Sequence, residues 1–211
     1  MKKALLIYYT FTGEAHRVVE LASGELAQAG YEVVTARVDF ADPSLRLQRP
    51  LSGADVKRWT RAAASGERMP VVVQPQEALD ARYDLICLVS NTWQHHPCVP
   101  IWSLLARPDM QTALQATAFA VYVVCRRSSK HNLALIRREA ELYGGRFIGG
   151  ERFEHHGSNL ASLIRTVTYL MSSGEKIARL FGLRLPLPPY GLSDLARQRV
   201  AQFTRFVATR V

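Results

Sequence analysis

The residues of this chain best suited to do chemistry lie in a short loop near its beginning. A continuous apolar run, residues 4–9, ends at Thr10, and a helical pattern starts directly after Gly13. The unpaired N–H groups of a helix's first turn, together with the helix dipole, attract anions. Thr10 and Thr12 add neutral hydroxyl donors, and Gly13 allows the backbone to close around a ligand. The sequence therefore predicts an anion-binding loop, the first loop, suited to a phosphate.

Two further loops carry aromatic and polar residues. The second loop, residues 90–97, contains Trp93, whose ring can form a flat wall beside an aromatic ligand. The third loop, residues 125–129, contains two arginines, whose guanidinium groups would stabilise negative charge on such a ligand. The alternative interpretations are that Trp93 packs against an insertion at residues 39–80 or against a second subunit, and that the arginines face solvent or neighbouring carboxylates. Cys125, which starts the third loop, is also typical of a small core residue.

Five apolar runs predict the strands that position these loops. They cover residues 4–9, 31–38, 83–90, 118–125 and 147–153. Helical patterns alternate with them at residues 14–29, 97 or 99–106, 130–143 and 160–171. Such alternation is typical of a doubly wound parallel sheet, which binds ligands at the carboxyl ends of its strands. The prediction is a single α/β domain over residues 1–211, with a five-stranded parallel sheet and helices on both faces.

Two segments extend this minimal pattern. The first is an insertion after the second strand, residues 39–80, with a helix predicted at residues 54–64 and a short apolar run at 71–73. A connection of this length is often functional. The second is a C-terminal extension, residues 172–211, in which a proline-rich link precedes a final helix capped by Ser193. Its predicted inward side chains are Leu195, Ala196, Val200, Phe203, Phe206 and Val207.

Composition and charge exclude several classes of protein. The 211 residues are 48% hydrophobic and 21% charged, as in an ordinary globular domain. The net charge of +9 attracts anions, but zinc-finger spacing and RNA-binding signatures are absent, so nucleic-acid binding is not expected. No apolar run approaches about 18 residues, so no membrane span is expected. The histidine pairs at 95–96 and 155–156 have no third ligand at a recognisable spacing, so no metal site is expected.

The cysteines and the first residues indicate the compartment. The chain has three cysteines, an odd number without CxxC spacing, which favours a reducing environment over a disulfide framework. The strand pattern begins almost at residue 1, so no signal peptide is predicted. We therefore expect a cytoplasmic protein.

The first loop resembles the phosphate loop of flavodoxins, whose pattern is Thr/Ser-x-Thr-Gly-x-Thr. Thr10, Thr12 and Gly13 match it, whereas the last threonine is replaced by Ala15, with His16 beside it. The G-x-G-x-x-G pattern of dinucleotide sites and the Gly-Lys-Ser/Thr of P-loops are absent. A phospho-receiver domain would need acidic residues at the end of the first strand, where Thr10 stands. The second loop resembles the flavin loop of flavodoxin-like reductases, in which the family's usual proline is Asn91 here.

The resemblance covers roughly residues 3–171 and implies a flavodoxin-like fold with non-covalently bound FMN. It implies that phosphate is held by Thr10, Phe11, Thr12, Gly13, Glu14, Ala15 and His16. The ring would be held on one side by Asn91, Thr92, Trp93 and Gln94, and at its edge by Cys125, Arg126, Arg127 and Ser128. The insertion, the Trp93 loop and the C-terminal extension give a layout similar to flavodoxin-like proteins known as dialkylresorcinol-condensing enzymes.

Three functions follow from these observations. The first is an FMN-dependent oxidoreductase, fed by NAD(P)H, that transfers two electrons to a quinone-like or other aromatic small molecule. The second is a flavin-free accessory or binding protein of a biosynthetic pathway, which Ala15 and the glycine-poor third loop favour. The third is a one-electron carrier of the flavodoxin type, which the two arginines disfavour. The sequence leaves open whether the chain forms a homodimer.

Overall fold

Five parallel strands form the centre of the protein, in a computed structural model that describes residues 1–126, 130–171 and 190–211. They are β1 (Lys2–Tyr8), β2 (Tyr31–Phe40), β4 (Leu85–Trp93), β6 (Ala118–Cys125) and β7 (Arg146–Glu154). Their spatial order is β2-β1-β4-β6-β7, the 2-1-3-4-5 order of doubly wound flavodoxin-like sheets. The predicted five-stranded parallel sheet is therefore confirmed.

Two short antiparallel strands, which the sequence did not predict as sheet members, enlarge the sheet to seven strands. β3 (Val71–Gln74) pairs with the edge of β2, and β5 (His96–Pro97) pairs with the end of β4. The second loop is therefore a β-hairpin. Its two central residues, Gln94 and His95, have φ of 54° and 98°. Tight hairpins with two positive φ values usually contain Asn-Gly or Asp-Gly, so this turn lacked its usual sequence signal.

Helices cover both faces of the sheet. On one face lie α1 (Glu14–Gln28) and the final helix α7 (Asp194–Ala208), which pack Val18, Leu26 and Val200 against the strands. The other face carries α3 (Val99–Leu104), α4 (Pro108–Leu114) and α5 (Lys130–Leu142). The sequence predicted all of these except α4. Among the described residues, no helix is both long and apolar enough to cross a membrane.

The insertion is largely ordered around one helix, α2 (Gly53–Ala64). A capping box starts it: the Ser52 hydroxyl accepts from the Asp55 N–H at 3.0 Å, and the Asp55 carboxylate accepts from the Ser52 N–H at 3.0 Å. Trp59 is buried and packs on Phe40 at a ring distance of 4.9 Å, so α2 is held against the end of β2. Short 3₁₀ turns, Pro43–Leu45 and Gln76–Leu79, flank this unit.

Two helices follow β7 in the described part of the chain, and they differ in which side chains they bury. Ser193 caps α7 as predicted, and Ala196, Val200 and Val207 are buried, but the inward placement predicted for Leu195 and Phe206 is wrong because both are exposed. Helix α6 (Asn159–Met171) lies across the carboxyl edge of the sheet. Its most apolar face is exposed, through Leu160, Leu163, Ile164, Val167 and Met171. The proline-rich link predicted after it lies outside the described residues.

Candidate functional site

A cleft opens at the carboxyl ends of β1, β4 and β6, where the three predicted loops meet. Its volume is about 120 Å³. Eight of the predicted site residues line it: Phe11, Thr12, Glu14, Asn91, Thr92, Trp93, Cys125 and Arg126. The sheet therefore brings residues from all three loops to one place.

The first loop has the geometry of an anion site. The Thr10 hydroxyl oxygen accepts a hydrogen bond from the Gly13 N–H at 3.0 Å, which closes the loop on itself. Gly13 has φ of 87° and precedes α1, and no side chain caps that helix. A Cβ at Gly13 would meet no heavy atom within 4 Å, so open space lies beside the loop. The N–H groups of the first helical turn are thus available to an anion.

Glu14 does more than sequence reasoning assigned to it. Its carboxylate is buried, accepting from Arg17 at 2.8 Å and from the Leu192 N–H at 2.7 Å. These contacts tie the start of α1 to the segment before α7. A buried negative charge repels a phosphate, and Arg17 offsets it here. The part of Glu14 that suits a phosphate is its backbone N–H.

We expect Gly191→Ala to destabilise the fold locally at this link. Gly191 has φ of 113°, and an added Cβ would lie 2.6 Å from the Glu14 carboxylate. The strain should lower the free energy of unfolding by about 1–3 kcal/mol. Urea unfolding measures the loss. Gly24→Ala, within α1 and free of contacts within 4 Å, is the matched control and should be neutral or stabilising. Equal stability of Gly191→Ala and the unmodified chain would contradict this link.

Ala15 and His16 lie outside the cleft lining. Ala15 is fully buried in the core beneath α1, so it offers no replacement for the missing threonine hydroxyl. The His16 ring approaches two other groups, with Nδ1 3.0 Å from the Tyr8 hydroxyl and Nε2 3.4 Å from the Glu20 carboxylate. The structure therefore directs the His16 side chain toward Tyr8 and Glu20.

The second loop presents Trp93 as a fixed wall. Its ring packs edge-on against Tyr9 at a centroid distance of 5.9 Å, and it is tilted at 59° to the Trp59 ring at 5.8 Å. The loop is tied to the end of β1, because the Asn91 side-chain amide donates to the Tyr9 carbonyl at 2.9 Å. Gln94, at the hairpin turn, is exposed and lines a neighbouring pocket rather than the cleft.

Behind this hairpin, the surroundings of His96 disfavour its charged form, so that its pKa is lowered. Its ring packs edge-on against His131 at 4.9 Å, and its Nδ1 atom is buried without a hydrogen-bond partner. Burial lowers the pKa of His96 below its ordinary value of 6.5, and the nearby His131 and His95 lower it further.

The stability of the protein should therefore fall in mild acid. Because the pKa of His96 is lower in the folded state, the unfolded chain binds more protons once the pH falls below about 6.5. The stabilising contribution is complete above that pH and is lost as the pH falls toward the folded pKa. We expect His96→Gln to flatten the decline in urea midpoint between about pH 7.5 and pH 5. A decline as steep as that of the unmodified chain would contradict this role.

The third loop is described only at its beginning. Cys125 is buried, with its thiol 3.8 Å from the Phe153 carbonyl oxygen. Arg126 lines the cleft, and its Nη1 atom donates to the carbonyl oxygen of Asn159 at 2.9 Å and also to the Asn159 side chain. This arginine thus joins the third loop to the first residue of α6. Arg127 and Ser128 lie outside the described residues.

A roof of three residues, Thr166 and Leu170 of α6 and Tyr190, covers part of the cleft. Tyr190 lines the cleft together with Thr12, and burial raises the pKa of Tyr190. Its ring stacks on Tyr169 at 3.8 Å with an angle of 4° between the planes. The sequence analysis did not predict the roof. A signal was present, because α6 carries apolar residues on one face and small hydroxyl residues on the other, which indicates that the two faces have different surroundings.

The roof has both fixed and unsatisfied polar groups. Its backbone is fastened to the insertion by the Leu51 N–H, which donates to the Leu170 carbonyl at 2.8 Å. The Thr166 hydroxyl is buried without a hydrogen-bond partner. Such an atom usually needs a partner, so a polar ligand atom in the cleft would remove a cost of about 1–3 kcal/mol. Within the described ranges, no group of three or more His, Cys, Asp or Glu could hold a metal ion.

This strand order, with a loop of this kind at the end of β1, defines a flavodoxin-like α/β protein. The chain is similar to a flavoprotein of Lactobacillus acidophilus NCFM in complex with FMN, with a TM-score of 0.54 and 19% identity over 72% of this chain and 93% of that one. It is also similar to a flavodoxin from the domain Archaea, with a TM-score of 0.53 and 11% identity over 98% of this chain and 96% of that one. The chain is similar to a flavoprotein of Bacteroides eggerthii DSM 20697 as well, with a TM-score of 0.55 and 13% identity over 82% of this chain and 100% of that one.

These likenesses confirm the flavodoxin-like fold. No protein-family model matches the sequence, and a search of curated proteins finds no significant match.

Proposed function

We propose that this chain is an FMN-dependent oxidoreductase that takes two electrons from NAD(P)H and passes them to a quinone-like or other aromatic substrate. One observation carries the proposal. The cleft joins an uncapped helix N-terminus at Gly13, an aromatic wall at Trp93 and a buried hydroxyl at Thr166 that has no partner. The helix N-terminus suits the phosphate of FMN, Trp93 suits its flat ring, and the Thr166 hydroxyl suits the polar chain that joins the two.

The phosphate end fits the first loop. The N–H groups at the start of α1 and the helix dipole favour a dianion, and Gly13 leaves open space beside them. Thr12 lines the cleft, and its hydroxyl can donate to the phosphate once Tyr190 moves aside. Ala15 lacks the hydroxyl that the flavodoxin pattern has at this position, so we expect affinity to depend more on the backbone N–H groups and Thr12.

The ring end of the cleft is smaller than a cofactor-sized site. Cofactor-sized ligands occupy pockets of about 300–1,000 Å³, which is more than the 120 Å³ of this cleft. α6 itself is held in place, because the Leu170 carbonyl accepts a hydrogen bond from the Leu51 N–H and the Asn159 carbonyl accepts one from Arg126. We infer that FMN binding displaces Tyr190, the part of the roof that lies outside α6.

The roles of this chain's own residues follow from their places. When bound, FMN supplies reversible two-electron transfer, so that a quinone, NAD(P)H and one proton give a hydroquinone and NAD(P)⁺. Trp93 orients the ring, and α6 limits access of water to it. The Arg126 guanidinium, at the wall of the cleft, places positive charge where it favours an anionic reduced ring.

Reduction of the FMN-loaded protein under anaerobic conditions tests this function. We expect one equivalent of NADH or NADPH to bleach the flavin absorbance without a third spectral species, and 1,4-benzoquinone to restore it. Arg126→Gln should still bind FMN, with a midpoint potential lower by about 20 mV, equal to about 1 kcal/mol for a two-electron couple. Failure of both nicotinamides, with dithionite giving a stable third spectral species, would favour a one-electron carrier instead.

A second candidate is a flavin-free binding protein. It is favoured by Tyr190, which lines the cleft together with Thr12 of the first loop, and by the buried Ala15. In that case the closed roof is the working state of the protein. The finer resemblance to dialkylresorcinol-condensing enzymes stays a prediction under either candidate.

A further inference from the structure

The insertion builds a second pocket beside the cleft. Four of its apolar side chains, Leu47, Leu51, Val56 and Trp59, form one side of this pocket. The opposite side consists of residues that also line the cleft, Phe11, Thr92, Trp93 and Leu170. Trp93 is therefore a wall shared by the two spaces. We call the second space the insertion pocket.

The insertion pocket is a built feature of the fold. Its base is held by Trp59, which is 5% exposed and packs against both Phe40 and Trp93. Its upper rim is closed by the Leu51 N–H bond to the Leu170 carbonyl. α2, which carries Val56 and Trp59, starts at a complete capping box, so the position of these side chains is well determined.

The size of the pocket suits one aromatic ring. Its volume is about 190 Å³. An apolar cavity of about 150 Å³ is known to bind benzene, so a ring with one or two small substituents fits here, whereas a fused three-ring system does not. Trp59 and Trp93, tilted at 59° to each other, offer aromatic surfaces for face and edge contacts.

The apolar lining of the insertion pocket disfavours a charged ligand. No Asp, Glu, Lys, Arg or His is among its described lining residues. The Thr60 hydroxyl donates to the Val56 carbonyl at 2.8 Å, and the Thr92 hydroxyl accepts from the Asn132 side-chain amide at 2.9 Å. Gln94 is the remaining polar side chain of the described lining, and it lies at the exposed rim. Because burial of an unpaired charge is costly, an ionised ligand is disfavoured.

We propose that the insertion pocket binds a neutral single-ring aromatic molecule, with one polar substituent directed to the Gln94 amide. The assignment of this molecule as the substrate rests on the proposed FMN-dependent reduction, because Phe11 and Trp93 line both the insertion pocket and the cleft. Binding of the ring itself requires no FMN.

Calorimetric titration of the full chain with a matched pair of probes tests the proposal. 4-Methylphenol is neutral at pH 7.5, and 4-hydroxybenzoate replaces its methyl group with a carboxylate. We expect 4-methylphenol to bind at least about tenfold more tightly. Val56→Trp, at a position 36% exposed, fills the pocket from its rim and should weaken the binding of 4-methylphenol about tenfold or more. Lys57→Trp, the exposed neighbour on α2, should leave it unchanged.

Leu47→Trp fills the pocket from a different segment of the insertion and should weaken binding as Val56→Trp does. Agreement between the two variants would show that the loss of binding does not come from misfolding of one of them. Equal affinity for the two probes, no binding of 4-methylphenol, or binding unaffected by both filling variants would overturn the proposal. FMN binding is measured on the same samples. Ring binding without FMN binding supports the pocket and overturns the oxidoreductase function. FMN binding without ring binding overturns the pocket alone.

Discussion

Gly13→Val should abolish FMN binding. Gly13 adopts φ of 87°, which a β-branched residue reaches only at a cost of about 1–3 kcal/mol. The space beside its Cα is open, so the new side chain would occupy the place where a phosphate meets the N–H groups of α1. The loss should exceed about 100-fold in affinity, or about 3 kcal/mol. FMN absorbance titration and retention of FMN on gel filtration measure it.

Gly30→Val is the matched control for this substitution. Gly30 follows α1 at its other end, with φ of 85° and no heavy atom within 4 Å of an added Cβ. The two variants should therefore lose similar conformational stability, but Gly30→Val should keep its affinity for FMN. Equal FMN affinity in Gly13→Val and the unmodified chain would remove the first loop from the site.

Trp93→Ala should weaken the binding of both FMN and 4-methylphenol. Trp93 separates the cleft from the insertion pocket, and its ring contacts Tyr9 and Trp59. Removal of a shared aromatic wall should cost each ligand about 1–3 kcal/mol, since a large apolar surface is lost from both sites. The same variant should remove most of the tryptophan fluorescence quenching caused by FMN.

Two other tryptophans serve as controls for this measurement. Trp102 lies beneath Arg68, outside the lining of both spaces, so Trp102→Phe should leave the quenching intact. Trp59→Phe keeps an aromatic ring in the insertion pocket and should change FMN quenching only slightly. Quenching that survives in Trp93→Ala but disappears in Trp59→Phe would move the aromatic wall to the insertion.

The sequence predicted the parallel sheet and the meeting of the three loops correctly. Continuous apolar runs in β1, β4 and β6 allow few alternatives to buried parallel strands, and parallel strands end at one edge. It could not predict the hairpin at Gln94 and His95, because neither residue type signals positive φ in the way that glycine does.

The roof was harder to predict for a different reason. The periodicity of α6 shows that the helix has an apolar and a polar face, but tertiary contacts decide which face turns inward. Ser162 and Thr166 carry buried hydroxyls, while Leu163 and Val167 are exposed. The link between Glu14 and Leu192 joins residues 178 positions apart, and no local pattern predicts such a pair.

Titration of the purified full chain with FMN, followed by its visible absorbance spectrum, tests directly whether the cleft binds FMN. We predict a perturbed flavin spectrum that saturates at one FMN per chain, with yellow protein retained on gel filtration. An FMN spectrum identical to that of free FMN at every protein concentration, with colourless protein recovered, would contradict it and would favour the flavin-free binding protein.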